Sequence, residues 1–251
     1  MKASIRGGSS LGLMSIARGQ CVHVGPHRLF LGDCREVLPR LPREATVVTD
    51  PPYGIRYESW RSTKHRERVT LMEDDRAPLD TVAGMAECMA DGTAIYLCTR
   101  FDVMAMWWDA MEAAGIKMKT TIVWDKGNHT AGDLYGDYGN RVEIILFGHR
   151  GRHILRRGRD VNLMAIPRPA YQAGGHPTPK PVELMERLIL NSTDPGALVV
   201  DPFMGSGTTG LAAMRNGRIF VGVERDRRWF ALAAGRLRGW YDALRHEGDR
   251  P

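Results

Sequence analysis

Ala45-Thr46-Val47-Val48-Thr49-Asp50-Pro51-Pro52-Tyr53 is the stretch on which the fold turns. Its first five residues form an apolar, β-branched run that reads as a buried strand; a carboxylate, two rigid residues and an aromatic ring follow directly. Open α/β sheets bind ligands just beyond the carboxyl ends of their strands, so a polar motif placed there faces a cleft rather than a core. Each proline fixes φ and lacks a backbone N–H, which turns the carbonyls of Asp50 and Pro51 outward without a ladder partner. Outward acceptors beside a carboxylate suit an N–H donor. The exocyclic amino group of a nucleobase brings two N–H bonds, and its flat ring gives Tyr53 a stacking surface.

Outward from this strand, strand-like and helix-like runs alternate. Strands are predicted over residues 27–31, 45–49, 93–98, 120–124, 142–147, 198–200 and 218–223, and helices over 80–89, 101–114, 181–191, 208–216 and 227–244. That alternation predicts an α/β fold with one seven-stranded, mostly parallel, doubly wound sheet of the Rossmann-like kind. Three less regular stretches, 54–78, 125–141 and 149–175, each follow a strand and exceed the usual loop length, so they are expected to crowd one cleft.

A second stretch, Leu198-Val199-Val200-Asp201-Pro202-Phe203-Met204-Gly205-Ser206-Gly207-Thr208-Thr209-Gly210, carries G-x-G-x-x-G between a strand and a helix, and Glu224 ends the next strand. Small residues let backbone N–H groups approach a ligand, and a strand-end carboxylate accepts two ribose hydroxyls. A nicotinamide dinucleotide would satisfy that spacing and make the chain an oxidoreductase. Two observations count against it. Only one strand and one long helix follow the glycines, so the rest of the sheet must lie upstream; and Asp201 with Phe203 makes the turn unwelcoming to pyrophosphate.

With 251 residues, 43% hydrophobic and 25% charged, the chain suits a single domain from residue 21 to 251 behind a flexible tail over 1–20. No apolar run reaches the ~18 residues of a membrane span, so a soluble protein without membrane contact is expected. Cys21, Cys34, Cys88 and Cys98 form no C-x-x-C pair, which points to reduced cytoplasmic thiols and no metal site. A formal net charge of +6 favours a polyanionic partner.

Taken in order, these motifs resemble the S-adenosylmethionine-dependent amino-methyltransferases of DNA, in the circularly permuted arrangement called the β class. The resemblance runs from about residue 28 to 237. A D-P-P-Y motif at Asp50–Tyr53 precedes F-x-G-x-G at Phe203, Gly205 and Gly207. Leu31-Gly32-Asp33-Cys34 resembles the family's adenine-contacting turn, and His176-Pro177-Thr178-Pro179-Lys180-Pro181 its H-P-T-x-K-P segment.

The resemblance implies S-adenosylmethionine as cofactor and DNA as substrate. Phe203, Gly205 and Gly207 would wrap the methionine portion, Glu224 would hold the ribose hydroxyls, and Asp33 would accept from the adenine amino group. Asp201 and Lys180 would face the amino acid's charges, with Cys34, Asp50, His176, Thr178, Ser206, Thr208 and Arg225 also at the cofactor. Helix capping competes as the reading of Asp33 and Asp201, and a solvated cation as that of Lys180. Asp50 and the Pro51 carbonyl would grip the target amine, with Pro52 stiffening the turn and Tyr53 stacking on a base extruded from the duplex. Asp at the head of the motif goes mostly with adenine N6 in this family, with cytosine N4 the alternative, and RNA or protein amides fit the same scaffold.

For nucleic acid, Arg56, Trp60 and Arg61 follow the catalytic turn, and Arg150, Arg152, Arg156, Arg157 and Arg159 form the densest basic run, within a short target-recognition insertion at about 149–175. So short an insertion suggests a short recognition site or a homodimer, with the helix bearing Met104, Trp107, Trp108 and Met111 as a candidate dimer surface. The sequence names no restriction endonuclease partner. A catalytically silent nucleic-acid-binding module would keep the basic loops without needing Asp50, Pro51 and the glycines together.

Overall fold

The computed structural model describes residues 20–52, 58–59, 69–70, 79–129, 135–136, 138–169 and 179–248. Its strands are β1 (Gln20–Val24), β2 (His27–Leu31), β3 (Thr46–Thr49), β4 (Glu58–Ser59), β5 (Val69–Thr70), β6 (Ala94–Thr99), β7 (Lys117–Asp125), β8 (Val142–His149), β9 (Leu163–Ala165), β10 (Leu198–Asp201) and β11 (Ile219–Glu224). The helices are α1 (Cys34–Val37), α2 (Thr81–Glu87), α3 (Met104–Ala113), α4 (Val182–Ser192), α5 (Thr208–Arg215) and α6 (Arg227–Gly248). Nine strands form the main sheet, in the order β1-β2-β11-β10-β3-β6-β8-β7-β9, and β4 pairs with β5 apart from it.

The predicted α/β class and all seven predicted strands are present, but the sheet holds nine strands rather than seven. Both additions lie at its edges: β1 pairs antiparallel with β2, and the three-residue β9 pairs parallel with β7. A strand of three residues is too short for a two-residue period to show, and Gln20-Cys21-Val22-His23-Val24 alternates around polar residues that fit an edge.

The strands β2, β11, β10, β3 and β6 run parallel and are buried on both faces. Side chains alternate between two cores. Val47, Ile95, Leu97, Val200 and Val221 pack with α1, α2 and α3 through Val37, Met85, Trp107 and Met111. Val48, Tyr96, Val199 and Phe220 pack with α4, α5 and α6 through Leu188, Ala212, Phe230 and Leu237. Trp107 and Met111 are fully buried in the first core, which corrects the expectation that they form a dimer surface. From β10 the chain crosses through α5 to β11 on one side; from β3 it crosses through α2 to β6 on the other. The carboxyl ends of β3 and β10 therefore flank the topological switch point, where open α/β sheets form their ligand crevice.

Strand β8 runs antiparallel to both its neighbours, pairing His149 with Ala94 at the start of β6 and with Lys117 at the start of β7. The basic run that follows lies at the amino edge of the sheet, opposite Asp50. This corrects the expectation that Arg150, Arg152, Arg156, Arg157 and Arg159 crowd the cleft. Arg150 Nη1 donates to the Ala86 carbonyl in the last turn of α2 at 2.5 Å, and the Arg156 amide donates to the Asn191 carbonyl near the end of α4 at 2.8 Å. Arg156 Nε also meets Asp194 Oδ2 at 2.9 Å. The Arg150 cation complements the partial negative charge at the end of α2, and the Arg156 backbone amide satisfies a late carbonyl of α4, so both residues cap helix ends.

Two outcomes are expected. Replacing Arg150 by Met should lower the stability read from the urea midpoint by about 1.5–3 kcal/mol, the usual worth of a hydrogen bond involving a charged group. A pH effect should come from His27, which is buried, accepts the Phe220 N–H on Nδ1 at 3.1 Å and is held down by burial to a pKa of about 4. Because the folded state holds this ring neutral, its contribution is complete above the unfolded value near 6.5 and is lost as pH falls through about 4. His153 shares this direction, so His27→Gln should reduce the drop in urea midpoint between pH 7 and pH 4.5 without removing it.

Candidate functional site

Asp50 follows the last residue of β3, and Asp201 is the last residue of the neighbouring β10. The Thr49 hydroxyl donates to Asp201 Oδ1 at 2.8 Å, so the D-P-P-Y turn and the glycine-rich turn are bonded side by side. Asp201 is 3% exposed and also accepts the Phe203 N–H at 3.1 Å and a bond from Thr209. Burial pushes its carboxyl up to about 6, while these donors pull the other way. Helix α5 starts after Gly207 without a side-chain cap, so the capping reading of Asp201 does not hold; its bonds tie down its own turn.

Along the same edge, Glu224 ends β11 beside β10. It is 8% exposed and accepts the Gly205 N–H on Oε2 at 2.9 Å and the Asp226 N–H on Oε1 at 2.8 Å. Burial pushes this carboxyl up, and the amides partly offset it. Gly207 begins α5 with φ +78°, in the left-handed region, and a Cβ there would lie 3.1 Å from Ala233. A Cβ at Gly210 would lie 2.6 Å from Phe220, so the third glycine is where α5 closes on β11 and α6. Ser206 and Thr208 are buried, and Arg236 of α6 reaches the Ser206 carbonyl at 3.2 Å and the Thr208 hydroxyl at 3.3 Å. Arg225, next to Glu224, is exposed.

One strand further, Asp33 follows β2. It caps α1 by accepting the Arg35 N–H at 2.9 Å, and the Arg35 guanidinium against it holds its carboxyl below the usual range. The Cys34 side chain turns into the core, and burial pushes its thiol up to about 12. Four neighbouring strands thus end in Asp33, Glu224, Asp201 and Asp50, a row of oxygen acceptors around a glycine turn. Such a row suits hydroxyl and amino donors and a positive charge, and repels phosphate.

Lys180, just before α4, lies at Asp50 itself. Its Nζ is 2.5 Å from Asp50 Oδ2 and 2.7 Å from Glu143 Oε1, with Lys126 Nζ 3.9 Å from Glu143 Oε2. The expectation that Lys180 faces the cofactor's amino acid was drawn without this ion pair. Asp50, Cys98 and Glu143 offer ligand atoms within 4.8 Å of one another, but the Lys180 ammonium already supplies the positive charge between the two carboxylates. Burial pushes the Cys98 thiol well up, which keeps it protonated. The sequence reading missed Glu143 and Lys126; the available signal was a charge at the start of one apolar strand and at the end of another.

Phe101, two residues past β6, and Tyr135 and Tyr138, between β7 and β8, are exposed on this same edge. Tyr53, Arg56, Trp60, Arg61, His176 and Thr178 lie outside the described residues. No described helix is long and apolar enough to cross a membrane.

Comparison with known proteins agrees with this geometry. Type II methyltransferase M2.DpnII of Streptococcus pneumoniae is 33% identical over 144 residues, 51% of this chain; the chain spans about half of that relative, 54%. The solved structure of TTHA0409, a putative DNA modification methylase from Thermus thermophilus complexed with S-adenosyl-L-methionine, superposes with a TM-score of 0.62. It is 26% identical, and the match covers 84% of this chain and 93% of that one. The cytosine-N4-specific PvuII DNA methyltransferase shares the fold with a TM-score of 0.67 at 16% identity, covering 88% of this chain and 93% of its own. The N6/N4 DNA methylase family matches residues 45–234, which takes in both turns of the crevice and most of the sheet between them. This chain belongs to that family.

Proposed function

We propose that this protein transfers a methyl group from S-adenosylmethionine to the N6 amino group of adenine in DNA, with the target base turned out of the duplex. The observation that carries the reading is the Thr49–Asp201 bond, which places the D-P-P-Y turn against the glycine turn at the switch point. The acceptor row suits such a cofactor, which is cationic and rich in hydroxyl and amino donors and carries no phosphate. TTHA0409, related by fold and sequence, was solved with it.

The cofactor supplies a sulfonium methyl group: as the N–CH3 bond forms, the S–CH3 bond breaks and its electron pair stays on sulfur. The chain's own residues bind and orient. Glu224 is already held by two backbone amides and accepts the ribose hydroxyls with its remaining lone pairs. Asp33 accepts from the adenine amino group, and the Phe203–Gly207 backbone borders the methionine portion. Arg225, Ser206 and Thr208 frame that wall, and Cys34 offers only its backbone. His176 and Thr178 are assigned to the same wall by their motif.

An adenine amine is a weak nucleophile because its lone pair is delocalised into the ring. Asp50 and the Pro51 carbonyl each accept one of its N–H bonds, which localises the lone pair toward the methyl group; the displaced proton leaves along the bond to Asp50. Tyr53 stacks on the base and offsets part of the few kcal/mol of extrusion with ~1–3 kcal/mol of stacking. Phe101, Tyr135 and Tyr138 border the DNA side, and the sequence that follows the catalytic turn assigns Arg56, Trp60 and Arg61 to DNA binding. Cytosine N4 presents the same two N–H bonds and is the competing substrate; Asp50 at the head of the motif favours adenine. A second copy of the chain would extend a recognition surface this short.

Incubation with labelled cofactor and unmethylated DNA, followed by nucleoside analysis, should yield N6-methyladenine. N4-methylcytosine would transfer the reading to the other base, and no labelled nucleoside would reject it. Asp50→Ala should lower transfer by at least about 10²–10³-fold, the scale of losing one aimed electrostatic contact, with cofactor affinity nearly intact. Glu224→Gln should instead weaken cofactor binding roughly tenfold, equivalent to about 1.4 kcal/mol. A fully active Asp50→Ala protein would refute the role given to Asp50.

A further inference from the structure

We propose that Glu143 and Lys180 are positioning residues for Asp50, joined with Lys126 in a chain of alternating charge that keeps the Asp50 carboxylate ionised and fixed at the crevice. The inference deepens the proposed methyl-transfer reading and rests on it for its effect on rate. Four separate elements converge to build the chain. Asp50 follows β3, Lys126 follows β7, Glu143 lies in β8 and Lys180 precedes α4. The Lys180 ammonium bridges Asp50 Oδ2 at 2.5 Å and Glu143 Oε1 at 2.7 Å, and Lys126 lies 3.9 Å from Glu143 Oε2. The side chains of Lys126, Lys180 and Glu143 are only 4%, 9% and 15% exposed and that of Asp50 is 30% exposed, so water screens the first three charges poorly and reaches the chain at its Asp50 end.

Two carboxylates with oxygens within 4.8 Å of each other disfavour each other's charged form unless a cation lies between them. A protonated Asp50 would lose an acceptor and gain an O–H donor, the wrong partner for a substrate N–H. Lys180 removes that conflict by meeting both carboxylates, and Glu143 in turn holds the Lys180 ammonium at 2.7 Å. Among the described residues, Lys126 extends the alternation to two carboxylates and two ammonium groups. Among the described residues around this pocket, Cys98 on β6 is a buried neutral thiol, the Asp201 carboxylate on β10 is bonded to Thr49, and Arg168 beyond β9 acts on Lys126.

The test is a set of variants read by kcat against pH, cofactor Kd and carboxyl titration. Lys180→Met should shift the acid limb of kcat upward by at least one pH unit, which lowers kcat about tenfold at a pH below both limbs, one unit of misplaced protonation being a factor of ten there. Cofactor Kd should stay within about twofold of the native protein. Adding Glu143→Gln to Lys180→Met removes the second carboxylate and should return the acid limb toward its native position; a purely structural defect would only deepen. Lys180→Arg keeps the charge and should leave the limb in place even where kcat falls.

An unmoved limb in Lys180→Met, or a double variant whose limb stays with the single variant's, overturns the proposal. Carbon-13 NMR titration of the side-chain carboxyls, run on the ligand-free proteins, decides the charge pairing without turnover. Coupled steps for Asp50 and Glu143 in Lys180→Met that disappear in the double variant support it, and independent single steps in Lys180→Met refute it. Should the native protein methylate no DNA, the methyl-transfer reading fails on that assay alone, while the titration still judges the ion-pair chain.

Discussion

A single buried hydrogen bond, from the Thr49 hydroxyl to Asp201 Oδ1, joins two turns that are 152 residues apart in the chain. Everything at the crevice is placed relative to it. Parallel pairing of Val200 with Val47 brings β3 and β10 into register, and the bond then fixes how their carboxyl ends leave the sheet. A hydrogen bond to a charged acceptor contributes about 1.5–3 kcal/mol, enough to hold one arrangement of two short turns over its competitors. The same carboxylate accepts the Phe203 N–H, so the glycine turn starts from a fixed point.

Burying a carboxylate is costly unless it is paired or hydrogen-bonded, and each strand end resolves that cost differently. Asp201 uses the hydroxyls of Thr49 and Thr209 and the Phe203 amide, Glu224 uses the amides of Gly205 and Asp226, Asp33 uses Arg35, and Asp50 uses Lys180. The outcome is a crevice whose wall accepts donors and cations. This explains how a G-x-G-x-x-G spacing can serve a ligand without phosphate. In a dinucleotide site the glycine turn meets pyrophosphate, whereas here the Gly205 amide is bonded to a carboxylate; Gly210 serves helix packing, as the third glycine does in either kind of site.

Much of this was legible in the residues. Val47-Val48 and Val199-Val200 are fully buried β-branched pairs, and such runs announce strands buried on both faces. Gly207 and Gly210 announce a turn and a close helix contact for reasons of backbone and volume alone. Less visible were β9, too short to show a period, and α1, four residues capped by Asp33. Trp107 and Met111 looked like a possible surface because a helical stripe does not say what covers it; α2 and the sheet do.

The sequence by itself determined which segments become strands and helices, which turns carry carboxylates and where backbone must do without a side chain, because propensity, periodicity and sterics act over a few residues. Tertiary structure alone decided the direction of β8. Antiparallel pairing between β6 and β7 turns its start toward the crevice and its end away, which delivers Glu143 to Lys180 and Asp50 and carries Arg150 to the carboxyl end of α2. Strand direction is set by pairing with residues far along the chain, and nothing within eight residues of apolar run encodes which end will face the ligand.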